Sequence, residues 1–130
     1  MEKVRWGFIG AGMIAKKALW PALLKSEVGE IYAVAAKDAE RAKALSPSGR
    51  IYTAYEDLLA DPNVEAIYIS LPNSLHMPWS IKAMQAGKHI LCEKPLAMNA
   101  QEVRQGIEVQ KQTGKLFMEA SWNRWHPRTI

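Results

Sequence analysis

Val4-Arg5-Trp6-Gly7-Phe8-Ile9-Gly10-Ala11-Gly12-Met13-Ile14-Ala15 decides how the rest of the chain is read. An apolar run leads directly into Gly-x-Gly-x-x-Ala, and helix-forming residues follow. Glycine lacks Cβ, so the main chain can turn sharply there and come close to an anion. The free N–H groups of the first helical turn, at the positive end of its dipole, then suit a pyrophosphate. An ordinary tight turn between strand and helix uses the same residues, so the context beyond Ala15 has to decide.

Beyond Ala15, short apolar runs alternate with amphipathic stretches to the end of the chain, the pattern of stacked βαβ units. Strands are predicted over residues 4–9, 31–36, 51–52, 66–70, 89–92 and 116–120. Ala15, Ala18, Leu19 and Ala22 fall on one helical face, and Pro21 should kink or shorten that helix. Asp38 can cap the next helix, and Thr53 with Glu56 has the spacing of a capping box for the third. Asp61-Pro62-Asn63 closes that third helix. Met77, Ile81 and Met84 share one side of a fourth, ended by Gly87. Asn99 caps a fifth that carries Ala100, Val103 and Ile107 and stops at Gly114. The expected fold is α/β: a doubly wound, mostly parallel six-stranded sheet in the order 3-2-1-4-5-6, with helices on both faces and ligands at the carboxyl ends of the strands. Residues 1–121 read as a dinucleotide-binding domain. Residues 122–130, which include Trp122, Arg124 and Trp125, read as the start of a crossover to a further domain.

Composition narrows the function. The 130 residues hold 17 Lys and Arg against 13 Asp and Glu, a net charge of +4, with 48% hydrophobic residues and one cysteine. The charges are interleaved rather than blocked, which argues against a nucleic-acid groove. No apolar run approaches the ~20 residues that cross a bilayer. The amino terminus has no secretory pattern, so a cytoplasmic location is expected. Cys92 and the three histidines show no metal-ligand spacing, and no metal is assigned. Cys92 reads as a buried strand residue.

Three segments carry candidate chemistry. At the end of the second strand stands Ala35-Ala36-Lys37-Asp38. With Ala36 at the recognition position there is no carboxylate for a ribose 2′-OH, and Lys37, helped by Arg41, offers charge to a 2′-phosphate, which favours NADP. With Asp38 at that position the cofactor is NAD. Ser70-Leu71-Pro72-Asn73-Ser74-Leu75-His76 follows the fourth strand, where the chain passes the nicotinamide half of a dinucleotide; alternatively it is a plain loop, with His76 a helix cap or a surface residue. Leu91-Cys92-Glu93-Lys94-Pro95 sets a charged pair at the end of a buried strand. There, desolvation would lower the Lys94 ammonium and Glu93 would raise it, making the lysine a tunable proton donor or a cation that holds a substrate hydroxyl. The alternative is a surface ion pair. Pro95 allows a cis bond.

Gly10-x-Gly12-x-x-Ala15, Leu71-Pro72-Asn73-x-x-His76, Ala86-Gly87-Lys88-His89-x-Leu91-Cys92-Glu93-Lys94-Pro95-Leu96 and Met118-Glu119-Ala120-x-Trp122-x-Arg124-x-x-Pro127 together resemble the Gfo/Idh/MocA oxidoreductases, in particular their dimeric dihydrodiol dehydrogenase branch. The resemblance implies NADP, with Gly10, Gly12, Met13 and Ile14 against the pyrophosphate and Lys37 near the 2′-phosphate. It implies that Leu71, Pro72, Asn73 and His76 line the path to the nicotinamide and that Glu93 approaches its ribose. Lys94 matches the family's catalytic lysine, and Trp122 and Arg124 match positions closing over the nicotinamide end. Family members are more than twice as long and carry a second α/β domain. The chain therefore reads as the cofactor-binding half of a dehydrogenase acting on a sugar, polyol or cyclic diol, expected to turn over little alone and to form homo-oligomers only through the second domain. The alternative is a nucleotide-responsive regulator of the same fold. A third reading is a short protein that self-associates through Trp122 and Trp125.

Overall fold

The computed structural model describes residues 1–129. They build a six-stranded sheet, β1 (Val4–Ile9), β2 (Gly29–Ala35), β3 (Arg50–Tyr52), β4 (Ala66–Ile69), β5 (His89–Glu93) and β6 (Phe117–Ala120). The strands lie in the order β3-β2-β1-β4-β5-β6, and every neighbouring pair is parallel. The register aligns the strand ends: Ile9 pairs with Ala35 and Ile69, Ile69 with Cys92, and Cys92 with Glu119. Between β1 and β4 the order reverses, and the turns leaving those two strands diverge from a common edge. That is where a doubly wound sheet opens a crevice.

The central strands bury both faces, which is why their runs are almost continuously apolar. On one face Ile9, Ala35, Ile67, Ile69, Ile90 and Cys92 pack under α3 (Tyr55–Ala60) and α4 (His76–Gln85). On the other, Phe8, Ile31, Val34 and Tyr68 meet Ala15 and Leu19 of the first helical segment and Ala42 and Leu45 of α2 (Ala39–Lys43) and its end. Trp20 joins these two helices by donating its indole N–H to the Leu45 carbonyl at 3.0 Å. α5 (Ala100–Thr113) lies against α4.

The first helix departs from the sequence expectation in an instructive way. Pro21 does not shorten it, and the disturbance it brings falls before it: a π-helical stretch, Ala15–Leu19, runs directly into α1 (Trp20–Leu24), with Pro21 in the first turn of α1. A proline cannot donate the usual bond to the carbonyl four residues back, and the wider turn before it absorbs that loss. The extra residue per turn also rotates the buried face. Ala15, Leu19, Trp20 and Leu23 pack inward, whereas Ala18 and Ala22, expected on the same face, are exposed.

Two other local expectations change. α3 is capped by Ala54 with no side-chain bond, so Thr53 and Glu56 form no capping box. Tyr55 is held edge-on to Trp79 at 4.9 Å, which sets the cap one residue later, and Glu56 and Asp57 supply the acidic first turn instead. In α5 the inward position is Gly106, not Ala100 or Ile107. A Cβ there would lie 2.6 Å from the Met77 sulfur, and Ile107 is left 42% exposed. Asp38 and Asn99 do cap α2 and α5, and Gly114 ends α5 in the left-handed region.

Lys88 braces the far end of the sheet from a buried position. Its ammonium donates to the Asp61 and Val64 carbonyls at 2.6 and 2.7 Å, satisfying the exit of α3. Burial pushes that ammonium below the ordinary lysine value, against the opposing pull of Asp61. Burial alone would raise the Asp61 carboxyl. Bonds from the Asn63 main chain, the Tyr52 hydroxyl and the Asn63 amide, with the charge of Lys88, hold it below the usual carboxylate range. A depressed native value means that Asp61 contributes stability in full above its unfolded value, near pH ~4, and loses it as pH falls through the native one. Asp61→Asn is therefore expected to lower the urea midpoint at pH 7 and to flatten the loss of stability below pH ~4. An acid limb identical to that of the unsubstituted chain would contradict this account.

Candidate functional site

Gly10 governs the geometry of the crevice. Its φ is +92°, and a Cβ there would lie 2.7 Å from the Ser70 carbonyl oxygen. The turn leaving β1 thus runs directly against the turn leaving β4. The Gly10 N–H donates to the Ala35 carbonyl at 2.9 Å, the Ser70 N–H to that of Ile9 at 3.0 Å, and the Ser70 hydroxyl to that of Gly10 at 3.3 Å. Gly12 is less crowded, with the same carbonyl 3.8 Å from its would-be Cβ. From Met13 the chain is helical, so the first-turn N–H groups have no intrahelical acceptors and point out of the turn.

Beside this turn lies a cleft of about 820 Å³ over the carboxyl halves of β4, β5 and β6. Eight of the expected site residues meet there: Ile14, Ser70, Leu71, Asn73, His76, Glu93, Lys94 and Trp122. Gly10, Gly12 and Met13 lie in the adjoining turn, Pro72 in the exposed loop after β4, and Arg124 in the 3-10 turn Trp122–Trp125. Ala36, Lys37 and Arg41 form a separate corner at the end of β2 and the start of α2.

At that corner Asp38 is occupied. One carboxylate oxygen accepts the Glu40 and Arg41 N–H groups at 3.0 and 3.2 Å, and the other lies 3.5 Å from the Arg41 guanidinium. Ala36 is buried at the strand end, and Lys37 is exposed with no ion pair among the described residues.

His76 is neither a helix cap nor a surface residue. It is 1% exposed, and its two ring nitrogens lie 2.7 Å from the Pro95 and Leu71 carbonyl oxygens, tying the loop after β4 to the loop after β5. Both polar atoms being engaged, only ring carbon is left to meet a ligand. The Lys94–Pro95 bond is cis, and the Leu96 N–H after it donates to a Glu119 carboxylate oxygen at 2.8 Å.

The expected Glu93–Lys94 pair does not form, and Lys94 is not desolvated. The Lys94 side chain is exposed and makes no ion pair among the described residues. Glu93 takes instead the Tyr68 hydroxyl, which donates to Oε1 at 2.8 Å, and the Lys94 main-chain N–H, which donates to Oε2 at 3.2 Å. Burial, with the adjacent Glu93 carboxylate, raises the Tyr68 phenol far above its ordinary value, so it remains a donor. Cys92 is fully buried, and burial pushes its thiol up to about 12, which makes it inert.

Sequence reasoning missed Tyr68, Glu119, Ala18 and Trp125, all of which line the cleft. Tyr68 and Glu119 had a signal, a polar atom within an otherwise apolar strand. Ala18 had none, because its exposure follows from the π turn.

Comparison with known proteins adds an independent line. Residues 4–121 match the family model described as an oxidoreductase family with an NAD-binding Rossmann fold. The chain is 44% identical to an uncharacterized oxidoreductase of Rhizobium meliloti, over 98% of this chain and 39% of that protein. It is 39% identical to trans-1,2-dihydrobenzene-1,2-diol dehydrogenase of Mus musculus, over 95% of this chain and 38% of the relative. The 3-ketoreductase KijD10 of Actinomadura kijaniata, solved with NADP and TDP-benzene, superposes with a TM-score of 0.93 at 34% identity, over 98% of this chain and 40% of that one. The chain thus spans about two-fifths of the length of each of these relatives.

The two glycines of the turn should separate by experiment. Gly10→Ala sets a side chain against main chain at a positive φ and is expected to cost about 2 kcal/mol or more in urea unfolding. Gly12→Ala has room, so it should unfold within ~0.5 kcal/mol of the unsubstituted chain and reveal itself only in weaker dinucleotide binding. Equal destabilisation by the two would show that the Ser70 carbonyl is not the constraint.

Proposed function

The chain belongs to the oxidoreductase family with the NAD-binding Rossmann fold, and on that premise we propose that it is the NADP-binding part of an enzyme that moves a hydride between nicotinamide and the carbinol carbon of a sugar, polyol or cyclic diol. One observation carries the choice of NADP. Asp38, the first carboxylate after the end of β2, is held as the cap of α2 and by Arg41, leaving Lys37 without an ion pair among the described residues, next to the buried Ala36. A ribose 2′-OH would find the Asp38 acceptor already engaged at this corner, whereas a 2′-phosphate would find Lys37, with the Arg41 guanidinium that Asp38 shares beside it. The solved relative KijD10 holds NADP, and the mouse relative is named for a cyclic diol.

The residues fit such a cofactor. The open first turn from Gly12 to Ile14 adjoins the cleft of about 820 Å³, which Ile14 also lines, and so sets a place for a diphosphate beside a place for a ring. When bound, the dinucleotide supplies a nicotinamide carbon that takes or gives hydride. In this proposal Gly10, Gly12, Met13 and Ile14 hold the diphosphate, and Lys37 and Arg41 the 2′-phosphate. Ser70, Leu71, Pro72 and Asn73 wall the path to the ring, with the His76 ring carbons behind them. Glu93 accepts from the ribose beside the nicotinamide, and Trp122 and Arg124 close over that end. Lys94 Nζ hydrogen-bonds the substrate oxygen: as the neutral amine it takes the hydroxyl proton while the hydride leaves the same carbon, and as the ammonium it gives that proton back in the reverse, reductive direction. Its exposure and freedom from Glu93 support that role, because Nζ is not already committed to a neighbour among the described residues.

Two substitutions test this reading. Lys37→Ala should lower the NADPH-to-NADH affinity ratio by about tenfold or more, the worth of one charge-assisted phosphate contact. A ratio that does not move would shift recognition away from this corner. Lys94→Ala should leave NADPH affinity essentially intact while cutting turnover about 10²- to 10⁴-fold in a polypeptide that carries the substrate-binding portion. A rate indifferent to Lys94 would favour a regulator over an enzyme.

A further inference from the structure

Tyr68 carries a polar atom that the packing of the sheet does not need. It stands in the middle of β4, whose four residues are all buried, and is itself 1% exposed. Its ring meets Phe8 edge-on at 5.1 Å, a contact phenylalanine would make equally well. Placing a phenol there requires a partner for the hydroxyl, and the fold provides Glu93. Tyr68 pairs with Leu91 across the β4–β5 ladder, so Glu93, two residues farther along, projects from the same face and over the end of the sheet. The hydroxyl meets Glu93 Oε1 at 2.8 Å while the Lys94 N–H meets Oε2 at 3.2 Å, and the Tyr68 and Glu93 side chains line the cleft.

Two donors, one on each oxygen, fix both the position and the plane of the carboxylate. Each oxygen keeps a further acceptor direction. A carboxylate held in this way offers two parallel acceptors side by side, the arrangement that matches a pair of neighbouring hydroxyls. We propose that Tyr68 is a positioning residue that locks the Glu93 carboxylate in the orientation in which it accepts from the vicinal hydroxyls of the ribose on the nicotinamide side. The inference rests on the dinucleotide reading above and adds to it the group that sets how firmly that ribose is held.

Titration calorimetry with two probes separates the claims. NADPH carries the second ribose; adenosine 2′,5′-bisphosphate keeps the adenosine and its 2′-phosphate but lacks that ribose. Tyr68→Phe is expected to weaken NADPH about five- to tenfold, less than the full worth of a hydrogen bond to a charged group because the Glu93 carboxylate stays and only its orientation is loosened, and to leave the bisphosphate unchanged. In a Glu93→Gln background, itself selectively weakened for NADPH, Tyr68→Phe should add little, because the oriented charge is already gone. A purely structural role predicts the opposite: equal weakening of both ligands, or a loss on Tyr68→Phe that persists in full in the Glu93→Gln background. Either result would overturn the proposal, as would unaltered NADPH binding in a folded Tyr68→Phe. Should that variant fail to fold, Glu93→Gln alone decides, and an unselective or absent effect counts against the proposal. If the unsubstituted chain bound neither probe, the dinucleotide reading itself would fall.

Discussion

A carbonyl oxygen occupies the space where any residue but glycine would carry a side chain at position 10. The 2.7 Å separation between a would-be Cβ and the Ser70 oxygen is what lets the turns after β1 and β4 share one point of origin. In a doubly wound sheet those turns head for opposite faces, and the crevice between them is only as narrow as their main chains allow. Hydrogen bonds from the Gly10 and Ser70 main chains and the Ser70 hydroxyl then fix the approach. The open first turn of the helix and the walls of the cleft inherit their relative placement from this contact, and so do the residues proposed to meet a dinucleotide along it.

The helix that leaves the turn shows how one residue type changes what a sequence pattern means. A straight α-helix from Met13 would bury Ala15, Ala18, Leu19 and Ala22 together. The π stretch before Pro21 inserts one residue into the turn, and the seam becomes Ala15, Leu19, Trp20 and Leu23. The rotation has a consequence at the site. Ala18, released from the core, lines the cleft together with Ile14 and Leu19. A small apolar residue there leaves room over β4 and β5, which a buried seam residue could not do.

Much of this is legible in the sequence because it depends on period and punctuation. Strands buried on both faces announce themselves as unbroken apolar runs, and β1 can be read to the residue. Asp38, Asn99 and Gly114 mark helix ends whose local chemistry needs no tertiary context. What cannot be read depends on which side chain meets which across the fold. Thr53 has the right spacing for a cap, but the Tyr55–Trp79 contact starts the helix elsewhere. Ile107 has the right spacing for a seam, but Gly106 allows the close approach to Met77 that fixes α5. His76 stays open between surface, cap and site until the loops after β4 and β5 close on its two nitrogens. Glu93 and Lys94 are adjacent in sequence, and adjacency suggests a pair. Here, however, β5 ends at Glu93 and Lys94 stands in the bend beyond it, while Tyr68 of the next strand reaches the carboxylate from within the sheet and is its partner.

That last point bears on how the end of β5 is built. Had Glu93 been balanced by the Lys94 ammonium at a sheet edge, the two charges would have neutralised each other, and a half-buried ion pair gains little once its desolvation is counted. Tyr68 balances the carboxylate differently. It offers a neutral donor whose proton is held firmly, because burial and the adjacent carboxylate both oppose its loss. The carboxylate is thereby oriented without being neutralised, and it retains its charge toward the cleft. Lys94 contributes only its main-chain N–H to that carboxylate, and its exposed ammonium makes no ion pair among the described residues. One strand end therefore presents an acceptor and a cation that do not cancel. In the proposed function the acceptor would hold ribose hydroxyls and the cation would handle a substrate proton, a division that this separation allows and that the tyrosine of the adjoining strand supports.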